Sequence, residues 1–561
     1  MDLSLLTSIE LETISDPGAR AAIRGLLNPS QAQGRLVEQL VAENQALRAE
    51  NQRLKDEISR LKGEQPRPTF KPKPPASVGA NYSSEQERHQ PKSHQKGTKL
   101  DRISIDRVER LRVDPATLPA DAIFKDVETV TVQDLVLRTD TVRFEREVWY
   151  SPSEKRSYRA ALPAGYAGEF GPGIKALALA LTYGANVSEG KTLELFRQAG
   201  VVLSAGWLAG LLSGDPGGLA AEAHAVEQAG LESSPWQHSD TTATQVAGEA
   251  QHCHVVGNPL FTAYHTLPSK DRLSVLRMLR GGGELTYLWD ETADAYLDWV
   301  KLSATARRTL MSAIPRDQEL DETTLSGLLD PLYPWIGPQQ RTRVREALAL
   351  AAYQAQTDWP VVQTLLCDDA APYRLVTDEL GLCWVHEGRH YTKLIVHAPL
   401  HQQLLAEFRT DFWNYYRELL VYREQPSPAE AVRLEQGFVE LFGRTTGLTL
   451  LDQRIALTRQ KKDGLLLVLR HPELPLHNNP AELAARRRVR KRDVSFGPRS
   501  PAGARAWDTL MTLAATTQLL GVSFIAYLQD RFRQAGQIPP LADLLRARAA
   551  TLNLGGSWAS A

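Results

Sequence analysis

Between positions 37 and 61 leucine recurs every seven residues, at Leu40, Leu47, Leu54 and Leu61, with Val37, Asn44, Asn51 and Ile58 on the interleaved position. β-Branched residues and asparagine on one core position and leucine on the other favour a parallel two-stranded coiled coil, where buried asparagines fix register and dimeric state at some cost in stability. A single amphipathic helix packed on its own domain shows the same stripe. Residues 1–63 are accordingly predicted as a helical, leucine-zipper dimerisation segment. From 64 to 100 apolar residues thin out among Pro, Lys, Gln and Ser. Such a stretch buries too little surface to offset its chain entropy and is predicted as a disordered linker.

The period then shortens to two. VETVTVQDLVLRTDTVRFEREVWYSPSEKRSYRAALP alternates as strands do, and VRFEREVWY and KRSYRAAL are placed to pair across the SPSE turn. A small β domain is expected over 101–165, with Phe144, Trp149, Tyr150 and Tyr158 as its core. Residues 166–230 return to helical spacing. SEGKTLELFRQAG followed by VVLSAGWLAGLLSG has helix–turn–helix proportions, with Gly200 at the turn and Ser204 capping the second helix. That second helix is too apolar for persuasive base readout, so packing and a degenerate DNA-binding unit stay open.

Residues 231–532 mix the two periods. SPWQHSDTTATQV, HCHVVGN and LFTAYHTLP read as three successive strands, with Asp240 in the first. Helical insertions are expected at about 273–359 and 404–468, and between them VVQTLLC is a buried strand ending at Asp368-Asp369. Acids at the carboxyl end of a strand face the crevice where open α/β sheets place their sites, although a solvated turn would carry them too. Residues 533–561 read as a tail. Trp413, Tyr415 and Tyr416 lie at helical spacing, which suits a core more than base stacking.

The stretch LPLHNNPAELAARRRVRKRD, 474–493, changes from turn to cationic helix. Asn479 is suited to cap it, Pro480 to the first helical position, and Glu482 falls three residues after the cap. Glu482, Arg486 and Arg490 are spaced by four and share a face. One reading is a capping carboxylate on a solvated basic helix; the other is a metal-binding glutamate beside a row of phosphate-binding arginines.

Composition narrows the setting. The chain has 561 residues, enough for several domains, and a formal net charge of −1, so only the local basic run marks a nucleic-acid partner. Three cysteines, Cys253, Cys367 and Cys383, argue for reduced thiols rather than a disulfide framework. The first residues lack a signal-peptide pattern and no apolar run reaches the ~20 residues that span a bilayer, so a soluble intracellular protein is expected. Cys383-x-x-His386 and His252-Cys253-His254 are zinc-ligand types, but they lack paired short spacings and fall within predicted strands. Core packing, or a His386–Arg389 pair near a phosphate, is the preferred reading, and no structural zinc is expected.

HNNPAELAARR, 477–487, is similar to the DNNxAExxLR signature of the insertion sequence 66 family of bacterial DDE transposases. HSDTTATQV resembles that family's first-aspartate strand, Asp368 to Tyr373 its D-x-x-x-x-Y spacing, LCWVHEGRHY its C-x-x-H segment, and residues 507–532 its closing helices. The family also carries an N-terminal zipper. Two departures stand out: His477 replaces the usual aspartate, and the family's cysteine-rich zinc module at 101–165 has no cysteine here. The resemblance implies a multidomain protein: coiled coil, small β unit, helix–turn–helix-like region, then an α/β ribonuclease-H-like catalytic domain with helical insertions. It implies a catalytic triad of Asp240, Asp368 and Glu482, with Asp369 in reserve, holding two Mg²⁺ or Mn²⁺ ions. Arg486, Arg490, Lys491 and Arg389 would contact DNA, with His386, His477, Asn478 and Asn479 as accessory groups. The implied partners are transposon ends and target DNA, a second copy or more through the zipper, and accessory proteins of the same element, in a bacterial cytoplasm with no membrane. A catalytically decayed DNA-binding regulator and a ribonuclease-H-like nuclease are the alternatives. Acting together, the three carboxylates should converge within roughly 4–8 Å, the scale of a two-metal site.

Overall fold

The computed structural model describes residues 103–558 except 136, 167 and 333–335, and isolated positions between Asp16 and Glu50. The zipper and the linker therefore lie outside the described residues, apart from those isolated positions. The first described strands are β1 (Val148–Ser151) and β2 (Arg156–Arg159), an antiparallel hairpin closed by the expected turn. It is much shorter than the alternating sequence predicts, and among the described residues no small β core forms. Trp149 is 70% exposed and Tyr150 62%, and Phe144 and Tyr158 are exposed as well. A two-stranded ribbon has no second layer to bury an apolar face against, so alternation alone does not make a domain.

Four helices follow: α1 (Pro172–Leu179), α2 (Glu189–Gln198), α3 (Ala205–Ser213) and α4 (Leu219–Glu232). Gly200 turns the chain between α2 and α3 with φ of 81°, and the Ser204 hydroxyl accepts the Trp207 N–H at 3.1 Å. Both features are those the spacing predicts. Leu208 and Leu212 of α3 are buried.

The central sheet has five strands in the order β5-β4-β3-β6-β7. β3 (Trp236–Val246), β4 (Glu249–Asn258) and β5 (Phe261–Leu267) form an antiparallel meander; β6 (Thr364–Cys367) and β7 (Glu379–Leu382) run parallel to β3. Between β5 and β6 lie α5 (Arg272–Leu279), α6 (Glu291–Trp299), α7 (Ala304–Met311), α8 (Glu322–Leu329) and α9 (Pro338–Ala355). After β7 come α10 (Trp384–Thr392), α11 (Pro399–Glu424), α12 (Pro428–Phe442) and α13 (Thr449–Arg459). These build a second hydrophobic core around Trp384, Phe412, Phe438 and Phe442. Trp413, Tyr415 and Tyr416 are buried in it, not presented to bases.

The basic stretch is α14 (Asn479–Ser495), followed by α15 (Pro501–Leu519), α16 (Phe524–Arg533) and α17 (Leu541–Ala549). α15 covers the edge strand β5. The side chains of Thr516, Asp508 and Thr512 accept the outward N–H groups of Thr262, Thr266 and Tyr264, so the edge is satisfied without another strand. The last segment is no loose tail. Trp558 stacks on His471 at 3.7 Å, and the Leu554 carbonyl accepts from Trp236 Nε1 at 2.7 Å. Among the described residues, no single helix is long and apolar enough to cross a membrane.

Candidate functional site

Sheet register brings the first two acids together. His238 lies opposite Leu366 in the parallel β3–β6 pair, so two residues further on Asp240 and Asp368 reach the same level at the carboxyl end of β6. Side chains alternate along a strand, which puts Trp236, His238 and Asp240 on one face of β3. Residues following β6 turn away, and the Asp368 carboxylate accepts the Ala370 N–H at 3.2 Å. Asp369 is engaged elsewhere, in ion pairs with Arg374 and Lys461, both at 2.8 Å. Of the adjacent acids it is Asp368 that lines the cleft with Asp240.

Glu482 enters from the first turn of α14, which lies across β3 and β4. Its helix begins one residue earlier than expected. Asn478 is the residue before the helix, Asn479 the first within it, and no side-chain cap bond is made. The reason is competition. The Asn478 amide is spent on β3, donating to the Ser239 carbonyl at 2.6 Å and bonding His238 Nδ1 at 2.9 Å. Its backbone N–H donates to Cys383 Sγ at 3.3 Å, and the Trp384 N–H donates to the Leu476 carbonyl at 2.9 Å. Cys383 Sγ also accepts the His386 N–H at 3.4 Å, capping α10. Cys383 and His386 thus mark a helix start, not a strand as the sequence suggests. The second Cys–His group is satisfied in β4: His254 bonds Thr241 Oγ1 at 3.1 Å and the Ser269 carbonyl at 2.8 Å, and Cys253 is buried.

The result is a cleft of about 400 Å³ lined by Asp240, Asp368, Glu482, His386, Arg389 and Arg486, among others. Burial pushes the Asp240 carboxyl up to about 6; the Thr241 N–H pulls it back, while the charges of Asp368 and Glu482 raise it further. Three carboxylates around one polar cleft are the donor type a divalent cation takes, and such a cation would relieve this repulsion. They are not closed upon one another. Among the described residues no three His, Cys, Asp or Glu side chains stand near enough to hold a metal ion. Glu482 is turned to Arg389, which reaches both of its carboxylate oxygens at 3.1–3.2 Å. All three acids line one cleft, without forming a group close enough to hold a metal ion.

The basic row divides by face. Arg486 and Arg490 are exposed. Lys491 is not: it is 1% exposed, with its ammonium 4.8 Å from the Tyr183 ring and 4.9 Å from the Trp507 ring. Ala481, Ala484, Ala485, Arg488 and Lys491 form the buried stripe of α14, with Arg488 paired to Asp508 at 3.2 Å. Lys491 is thereby removed from any surface that DNA could reach. His477 is half-buried beside Asn478, and Asn479 is buried.

Two further residues support the site. Tyr373 bonds Ser239 Oγ at 3.2 Å and Thr241 Oγ1 at 3.1 Å, tying the loop after Asp368 to the strand of Asp240. His238 Nδ1–H donates to the Asn478 side-chain oxygen, and burial pushes its imidazole down to about 3, leaving it neutral. The D-x-x-x-x-Y spacing pointed at the first; the two-residue offset from Asp240 could have pointed at the second.

A family model described as "Transposase IS66 family" matches residues 341–506, which include Asp368 and Glu482. An uncharacterized protein, y4jO of Sinorhizobium fredii (strain NBRC 101917 / NGR234), is 33% identical over 322 residues, 57% of this chain and 99% of the relative. No solved structure matches the chain.

Proposed function

The chain belongs to the IS66 transposase family, and from that premise we propose that it is a metal-dependent DDE transposase that cuts transposon ends and joins them to target DNA. The observation that carries the reading is the meeting of Asp240, Asp368 and Glu482 on one cleft from β3, the end of β6 and the first turn of α14. The strand order, an antiparallel meander continued by two strands parallel to its first, supports a ribonuclease-H-like catalytic domain.

In this reading Asp240, Asp368 and Glu482 would hold two Mg²⁺ or Mn²⁺ ions. When bound, such ions supply Lewis-acid activation of the attacking oxygen and stabilisation of the leaving oxygen. Attack of water on phosphorus breaks the P–O3′ bond at the transposon end. The freed 3′ hydroxyl then attacks a target phosphodiester, forming one P–O bond as another breaks. The chain supplies no covalent nucleophile; its residues position. Arg486, beside the cleft, and Arg490, one turn further along α14, hold backbone phosphates, a role suited to guanidinium and indifferent to sequence. His386 faces the same cleft. The heptads at 37–61 would join two copies, so that both transposon ends are held together.

The test is end cleavage and strand transfer with Mg²⁺ on DNA carrying the transposon ends. Asp240→Asn, Asp368→Asn and Glu482→Gln should each abolish both steps while leaving DNA binding within about twofold. Cleavage without joining would mark a nuclease. DNA binding with no cleavage by the unaltered chain would mark the decayed regulator, a reading that His477 favours by its departure from the family's aspartate.

A further inference from the structure

Arg389 and Glu482 lie 93 positions apart in sequence and meet across the mouth of the acid cleft through three hydrogen bonds of 3.1–3.2 Å. Among the described residues, these are all the hydrogen bonds the Glu482 carboxylate accepts. The two partners are differently held. The backbone around Arg389 is seated firmly: a Cβ on Gly388 would lie 2.6 Å from the Trp413 ring. Glu387 is buried against Lys461 at 2.9 Å, with Arg454 and Thr458 beside it. The Arg389 side chain, by contrast, is 47% exposed, and that of Glu482 23%. The pair therefore joins a fixed platform to a carboxylate through one solvated guanidinium, which rotates without moving the backbone. A half-exposed ion pair is weak enough to exchange.

Electrostatics gives the exchange a direction. Three carboxylates line the cleft against two guanidinium groups, those of Arg389 and Arg486. Removing Arg389 without replacement would leave Glu482 facing Asp240 and Asp368 across the cleft uncompensated. A divalent cation among the carboxylates replaces that compensation and more. A phosphate arriving at the same mouth offers Arg389 an equivalent bidentate acceptor. We propose that Arg389 is an exchangeable counter-ion: it holds Glu482 while the cleft lacks a cation, yields the carboxylate to a divalent metal, and passes to a DNA phosphate. This rests on the metal-dependent reading of the cleft and adds to it an order of events, in which metal and DNA each favour the other by freeing one half of the pair.

The test uses the full chain and Mn²⁺ alone, with free Mn²⁺ followed by electron paramagnetic resonance. Arg389→Gln should tighten Mn²⁺ binding about fivefold, the scale expected for losing one solvated ion pair. Arg389→Lys, which keeps the charge but not the bidentate fork, should tighten it about twofold and carries the test if the glutamine variant does not fold. In a Glu482→Gln background neither substitution should matter. Unchanged or weaker binding in both Arg389 variants, with Glu482→Gln still weakening Mn²⁺, overturns the counter-ion and leaves the metal cleft standing. Indifference of Mn²⁺ to Glu482→Gln overturns both. For the second half, Glu482→Gln without metal should steepen the fall of log K for DNA with log salt by about 0.9, one phosphate contact, and Arg389→Gln should abolish the increment. An unchanged slope overturns the transfer to phosphate.

Discussion

The Asn478 side chain donates to the Ser239 carbonyl at 2.6 Å, joining the entry of the Glu482 helix to the strand of Asp240 one residue before that acid. The same amide bonds His238 Nδ1 at 2.9 Å, and Asn478 is 2% exposed. Asn478→Ala would leave a buried carbonyl and a buried imidazole nitrogen unpartnered, a loss of about 2–4 kcal/mol. Denaturant unfolding should show it, and cleavage should fall further than stability explains, because Glu482 loses its anchor. A variant with unchanged midpoint and activity would mean the helix is positioned by its alanine stripe alone.

The zipper prediction is separate from the cleft. Deleting residues 1–63 should convert a dimer into a monomer in the absence of DNA, as read by light scattering, since Leu40, Leu47, Leu54 and Leu61 supply the apolar seam. A dimer mass that survives deletion places association on another surface.

β3 to β6 were legible as short strand-like runs bounded by turns, and the acids through motif resemblance, with Asp240 inside a strand, Asp368 just past a strand end and Glu482 in a first helical turn. What the sequence concealed was which polar groups the fold would consume. Asn478 reads as part of the turn before the Asn479 cap, yet its partners on β3 lie 239 and 240 positions away. Arg488 and Lys491 read as a solvated charge run, and only the arrival of Trp507 and Asp508 on α15 makes a buried site for them. The hairpin failed in the opposite sense: Trp149 and Tyr150 have the right period but no layer to pack on. Local pattern reports a preference for burial, and the long-range partner decides whether it is met.

Lys491 gives a pH dependence of stability. Burial, with Arg488 nearby, pushes its ammonium down to about 7, while an unfolded lysine titrates near ~10.4. Below pH 7 both states are protonated and the cost of the buried charge is fully present. Between about 7 and 10 the folded state releases its proton first, the unfolded state binds more, and stability rises with pH. The Tyr183 and Trp507 rings favour the charged form and offset part of the effect. From pH 7 to 9.5 the unaltered chain should gain about 1–3 kcal/mol relative to Lys491→Met, measured by denaturant unfolding. Parallel pH profiles would show that Lys491 is not what titrates.

Arg486 and Arg490 carry the last prediction. Both are exposed on α14, and Arg486 also lines the cleft with Glu482. Lys491 and Arg488, though in the same run, point into the core, so the row available to DNA is shorter than the sequence indicates. Each phosphate neutralised on duplex DNA contributes about 0.9 to the slope of log K against log salt. Replacing Arg486 and Arg490 together with glutamine should flatten the slope by roughly two and weaken binding about equally on transposon-end and unrelated DNA, because phosphate contacts position without reading sequence. Glutamine at Lys491 should leave the slope untouched while lowering the unfolding midpoint. Thermal unfolding of the paired arginine variant should match the unaltered chain, since neither side chain is buried. A slope unmoved by the double replacement would reduce the exposed face of α14 to ordinary solvated charge and place the DNA path elsewhere.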